Sequence, residues 1–301
     1  MHNLILLIVC FAAGVLLKHF RRLPESAANT LNGVIIHVSL PAVTLLHIHD
    51  LRPGSEFFFM AAMPWIHFFL AAAFFLLAGR LFRLGRTTVG ALILTGGLGN
   101  TSFVGLPMIE AFFGKEALVN GIIVDQMGSF MVLSTLGLTV AGIYAGHKPT
   151  AGDIVKRIVM FPPFIALLVA VLFIPFDYPQ WLTLLLQRLG DTLAPLALLS
   201  VGFQLQAGHL EGNRGYLALG LGFKLILAPL LIGLLYVALF GLHGTAIRVT
   251  LFEAAMPPMI TAGIIASEYN INPPLSNMMV VLGIILSFVS LPIWSIILSG
   301  L

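Results

Sequence analysis

Residues 96–107 read Gly96-Gly97-Leu98-Gly99-Asn100-Thr101-Ser102-Phe103-Val104-Gly105-Leu106-Pro107, in the middle of an apolar run long enough to cross a bilayer. Glycine lets a helix unwind, and proline removes a backbone donor and clashes with the preceding turn. The run over 87–113 is therefore expected to be an interrupted helix. In hydrocarbon the freed N–H and C=O groups need partners, so irregular backbone at membrane depth persists only where protein buries it or where it lines a hydrated cavity. A second interruption, Met256-Pro257-Pro258, falls inside the apolar run 244–268. Two breaks in matching places imply one shared cavity, for which a pair of simple proline kinks is the plainer alternative.

Composition places both breaks in a membrane protein. Of 301 residues 59% are hydrophobic and 9% charged, and the mean hydropathy is +1.03. A soluble domain carries about 25% charged residues to cover its surface. A membrane helix takes about 20 mostly apolar residues, and the hydropathy pattern predicts ten spans, at 3–19, 26–49, 57–82, 87–113, 117–146, 154–174, 181–206, 215–240, 244–268 and 274–299. Residues 4–17, with no basic segment before them and no small-residue cleavage site after them, read as the first span rather than a leader. The single cysteine, Cys10, allows no internal disulfide.

The spans fall into two related sets. Pro41 in the second span and Pro195 in the seventh stand 154 positions apart, and the same offset carries Asn100 to Ala254, beside the second break. The expected fold is all-α, with residues 1–150 as a first repeat of five spans and residues 151–301 as a second. Five is odd, so the second repeat enters the membrane inverted, as in many secondary transporters. Basic residues set the orientation: Lys18, Arg21, Arg22, Arg80, Arg83, Arg86, Lys148, Lys156, Arg157 and Arg214 cluster on one side, against Arg52, Lys115, Arg188 and Arg248 on the other. By the positive-inside rule the first group is cytoplasmic. Both termini are then extracytoplasmic in a multi-pass protein of the plasma membrane, and the short loops fit a prokaryotic inner membrane. The net charge of +3 is a topology signal rather than a nucleic-acid footprint.

The segment Gly99-Asn100-Thr101-Ser102-Phe103-Val104-Gly105-Leu106-Pro107 resembles the interrupted fourth helix of the auxin efflux carrier family, which includes the plant PIN-FORMED carriers and bacterial permeases. Glu253-Ala254-Ala255-Met256-Pro257-Pro258, followed by Glu268-Tyr269-Asn270, resembles that family's ninth helix and its exit. Asn32 before Pro41, and Asp191 before Ser200-Val201-Gly202, extend the likeness to nearly the whole chain. The resemblance implies two inverted repeats with helices 4 and 9 crossing at the bilayer centre. Spans 1, 2, 6 and 7 would form a scaffold and spans 3–5 and 8–10 a mobile transport domain, with an elevator or rocking motion and a homodimer through the scaffold. It places Asn100 and the backbone around Pro257 near a substrate carboxylate. The 146–153 connection is short, unlike the large hydrophilic loop of the plant carriers, which leaves auxin itself in question.

Two half-helix N-termini meeting at one point would offer unpaired N–H groups and partial positive charge to an anion. The candidate substrate-binding residues are Asn100, Thr101, Ser102, Pro257, Glu253, Ser200 and Gln204, and the crossover or hinge residues are Gly99, Pro107, Met256 and Pro258. An amide beside unwound backbone both donates to an anion and satisfies a free carbonyl, whereas Thr101 and Ser102 would serve equally as helix caps. Ser200 and Gln204 share a helix face, with helix-to-helix hydrogen bonding as the alternative.

Ionisable groups at bilayer depth cost roughly 2.5–3.5 kcal/mol on insertion scales and are candidates for function by default. Asp125, with Gln126 beside it, is the candidate for proton or cation coupling; a buried acid satisfied by Lys224 is the structural alternative. Glu253 reads as ligand, gate or cap. Asp191 is expected to pair with Arg188, and Glu110 to lie at the interface. His47 and His49 point to different helix faces and lack companions for a metal, so the nine histidines are expected to be interfacial. No Gly-Lys-Ser/Thr follows the helix 4 glycines, which excludes a phosphate loop. No cofactor is called for beyond Na+ or H+ as a coupling ion. The function expected is movement of a small organic anion, against a sodium-coupled symporter or sodium/proton exchanger of a related crossed-helix fold. An intramembrane enzyme would need a nucleophile–base pair or metal motif, and neither stands at a suitable spacing.

Overall fold

The computed structural model describes residues 2–49, 54, 56–145, 150–204 and 214–301. Arg52, Lys148, the 146–149 part of the connection between repeats and the expected end of the seventh span beyond Gln204 lie outside the described residues. The described chain is helical: α1 His2–His19, α2 Ala27–Ile48, α3 Glu56–Leu81, α4 Arg86–Gly97, α5 Thr101–Phe113, α6 Lys115–Ala145, α7 Ala151–Val159, α8 Pro162–Phe173, α9 Gln180–Gln204, α10 Arg214–Leu239, α11 Thr245–Ala254, α12 Ile260–Glu268 and α13 Pro273–Leu298. Among the described residues six of these (α2, α3, α6, α9, α10 and α13) are long and apolar enough to cross a membrane singly. The bent pair α7 and α8 makes a seventh candidate. Large apolar side chains such as Phe58, Leu172 and Ile296 are more than two-thirds exposed, an outer surface that suits lipid.

The prolines explain where helices widen, bend or break. Pro41, Pro107 and Pro229 each follow a π segment, over Ile35–Ser39, Thr101–Gly105 and Phe223–Leu227. The carbonyl that each proline would strike, four residues back, lies in that wider turn, so the helix continues. Pro229 also cannot give the Leu225 carbonyl the usual donor four residues ahead, and the Trp294 indole donates to that carbonyl at 2.9 Å. The sixth span, expected as a single helix over 154–174, is instead two helices bent by 61°. The cause is Pro162-Pro163, which holds Phe161 extended at φ −75° and ψ 114°. The twelve-residue α8 rises only about 18 Å.

The chain divides into two compact units. The first comprises residues 1–54, 102–122 and 156–205. In it α1 runs along the second part of α9 at very close approach. A Cβ on Gly14 would strike the Leu199 carbonyl, and one on Gly202 the Phe11 carbonyl, the small-residue contact that lets membrane helices pack backbone to backbone. Ser200 Oγ donates to Asn32 Oδ1 at 2.6 Å, and Ser39 and Thr192 share a hydrogen bond of 2.7 Å.

The second unit comprises residues 55–101, 123–155 and 206–301. Its core collects Phe68, Phe75, Leu92, Leu94, Phe223 and Met279, with Phe74 stacked on Phe223 at 4.7 Å. Tyr236 donates to the Phe59 carbonyl at 2.7 Å. α13 starts at Asn272, whose side chain accepts from the Leu275 N–H before Pro273-Pro274 opens the helix.

Candidate functional site

Both interrupted helices belong to the second unit where they break, and they tie to each other there. α4 stops at Gly97, and the chain runs extended through Leu98 to Asn100 before α5 begins. α11 stops at Ala254, and residues 255–259 are irregular before α12 begins. Gly99 and Pro258 form an antiparallel bridge. Asn100 N–H donates to the Pro257 carbonyl at 2.8 Å, and Met259 N–H to the Leu98 carbonyl at 2.9 Å. Each break thus supplies the main-chain partners that the other lost, which is the condition for irregular backbone inside a bilayer.

Two helix C-terminal carbonyls, those of Gly96 and Ala254, find side-chain partners. With its helix broken, Gly96 C=O no longer receives the N–H four residues ahead, because Asn100 has turned to Pro257. Ala254 C=O faces Pro258, which has no N–H to give. Buried side chains from neighbouring helices take both places. His67 Nε2 lies 3.2 Å from the Gly96 carbonyl, and Lys224 Nζ donates to the Ala254 carbonyl at 3.2 Å. Lys224 Nζ also stands 3.3 Å from the same His67 nitrogen. One imidazole nitrogen cannot donate to a carbonyl and accept from an ammonium at once, so the two contacts correspond to different proton placements on His67.

The acids complete the site. Asp125 Oδ1 accepts from Thr101 Oγ1 at 2.5 Å, at the opening turn of α5. Asp125 and Gln126 lie in a π segment, Val124–Ser129, a distortion frequent at functional sites. Glu253 is 1% exposed, and neither of its carboxylate oxygens has a hydrogen-bond partner among the described residues. A cavity of about 10 Å³ opens between Pro64, His67, Thr101, Ser129, Lys224 and Glu253, which is the lower limit for one water molecule. Asp125 and Glu253 are carboxylates of the kind that hold a hard cation. Gly99 packs against the lysine, since a Cβ there would sit 3.3 Å from Lys224 Nζ.

The family described as membrane transport protein matches residues 1–295. The chain belongs to that family. The resemblance to the auxin efflux carriers therefore holds across its length. An uncharacterized transporter of Methanothermobacter thermautotrophicus is 31% identical over 295 residues, covering 97% of this chain and 96% of the relative. Another, from Methanocaldococcus jannaschii, is 26% identical over 307 residues, covering 99% and 98%.

Within this membrane transport protein, Gly99, Asn100, Thr101, Asp125, Gln126, Glu253, Met256, Pro257 and Pro258 come together at or beside the crossing. Ser102 is half-buried in the first turns of α5. Pro107, expected at the interruption, lies inside α5 because the π segment before it absorbs its clash. Ser200 and Gln204 belong to the first unit, where Gln204 Nε2 donates to Ser200 Oγ at 3.1 Å and Ser200 to Asn32. Asp191 pairs with Lys115 at 2.5 Å rather than with Arg188, since Lys115 at the start of α6 reaches it across the unit. Lys224 bonds Ala254 and His67, while Asp125 takes its hydrogen bond from Thr101. Sequence reasoning passed over His67, grouping it with interfacial histidines, although it is buried. A lysine and a histidine each placed mid-span are the signal that could have marked these two as site residues, though not as a pair.

Proposed function

We propose that the protein is a secondary carrier for a small organic anion of the carboxylate class, working by elevator-type alternating access about the crossing. The observation that carries this is the main-chain tie between Leu98–Asn100 and Pro257–Met259. It brings the N-termini of α5 and α12 to one place beside Asn100, Thr101 and Lys224, a setting that favours negative charge. In this arrangement the cavity there is too small for an organic acid, so binding requires another conformation of the carrier. The wider reading has ten spans in two inverted repeats, a scaffold and a transport domain, a homodimer through the scaffold, and both termini outside a prokaryotic plasma membrane.

Two buried carboxylates at the crossing, Asp125 and Glu253, favour a second reading in which anion movement is coupled to a cation or proton. One assay separates the two: uptake of a panel of labelled mono- and dicarboxylates into proteoliposomes, with pH and sodium gradients imposed separately. Asn100→Ala is expected to cut uptake at least about tenfold, the loss of roughly 1.4 kcal/mol of binding or transition-state energy, with the folded, oligomeric protein intact. Normal flux in that variant removes Asn100 from the site. Asp125→Asn is expected to abolish coupled exchange and spare passive anion flux if coupling runs through that acid.

A further inference from the structure

Carriers with broken helices coordinate coupling cations with unwound backbone carbonyls and half-helix C-terminal ends. Here the carbonyls of Gly96 and Ala254 are two such groups, held by His67 and Lys224, and the small cavity that those side chains line also faces Glu253. A bare cation would find in this place the Ala254 carbonyl, the His67 ring nitrogen, and a carboxylate with no hydrogen-bond partner among the described residues. A side chain already stands at the Ala254 carbonyl. Lys224 extends from the π segment of α10, is fully buried, and puts its ammonium against the Ala254 carbonyl and the His67 ring. Gly99 lacks the side chain that would crowd it.

We infer that Lys224 is a tethered cation filling the crossing's cation position, with Glu253 as its counter-charge, so that this site takes up no free sodium ion. The inference rests on reading the crossing as the transport site but concerns what binds there rather than what is carried. A positive charge held by four methylenes costs no ion-binding entropy and cannot dissociate, and it leaves the cavity only room for about one water. Removing the amine while keeping Glu253 should expose a small, anionic, carbonyl-lined hole of the kind that holds a monovalent metal ion.

The test uses the full-length purified protein in detergent, with thermal unfolding followed in sodium chloride and in choline chloride at equal ionic strength. The native protein is expected to melt at the same temperature in both salts. Lys224→Ala is expected to melt lower in choline and to regain about 2 °C or more in sodium, because a ligand bound only by the folded state raises the midpoint. Lys224→Ala with no sodium response overturns the inference, as does sodium-specific stabilisation of the native protein. If Lys224→Ala yields folded protein in neither salt, the native arm decides: equal midpoints support the tethered cation and a sodium shift overturns it. Since melting needs no transport, a failure here is separate from a failure of the carboxylate uptake assay.

Discussion

Charged residues in this molecule differ most in whether water reaches them. Lys115 and Asp191 form the shortest ion pair among the described residues, yet their side chains are 45% and 51% exposed, and such pairs contribute about 0–1 kcal/mol. Asp191→Asn should therefore shift stability by no more than about 1 kcal/mol, read from a thermal or denaturant titration in micelles. A larger loss would show that the pair has a structural part its exposure does not suggest. Lys224 and Glu253 are the opposite case, buried without solvent to screen them. Sequence reasoning ranked Asn100, Asp125 and Glu253 as polar groups at depth, and they do gather. It paired Asp191 with the nearest arginine on its own helix because i and i−3 neighbours are visible in a sequence. Lys115, 76 positions away, is not. His67 was missed for the same reason: its purpose, a carbonyl on another helix, exists only after folding.

Among the elements, breaks were more legible than bends. The glycines of 96–101 marked the interruption, which the structure narrows to 98–100, and the Met-Pro-Pro motif marked its partner. Pro107 misled because a proline in a membrane helix has two outcomes, rupture or a widened turn, and the residues ahead of it do not announce which. The double proline at 162–163 was the reverse, a bend of 61° hidden in an unbroken apolar run. Close helix contact is governed by glycine. Gly202→Ala would drive a methyl group into the Phe11 carbonyl, which has no flexible end to move aside, and overpacking of this kind costs about 1–3 kcal/mol. The melting midpoint of Gly202→Ala should fall accordingly. Gly33→Ala, whose Cβ would meet nothing within 4 Å, should be neutral or slightly stabilising. Equal effects at both positions would show that α1 and α9 do not meet backbone to backbone at Gly202.

At the scale of the whole molecule, composition alone sufficed for membrane class, and short motifs in order sufficed for the family. The number of spans was less legible, because a hydropathy window treats a helix of twelve residues joined to a bent neighbour like one straight rod. Orientation rests on the basic loops and is open to direct measurement. In a Cys10→Ala background, cysteine placed at Glu116 should react with an impermeant maleimide on intact cells, and cysteine at Arg22 only after permeabilisation. The reverse pattern would turn the protein over. The division of the chain into units has a further consequence for biosynthesis. Each unit draws segments from before and after the midpoint of the chain, and the carbonyl of Leu98 waits for an amide 161 positions later. While the ribosome is still translating the second half, the first half therefore sits in the membrane with an open main-chain break that nothing yet made can close. Insertion machinery, lipid headgroups or water must shelter that segment until Met259 arrives, which makes the interval before α11 and α12 emerge the most vulnerable moment in the life of the chain.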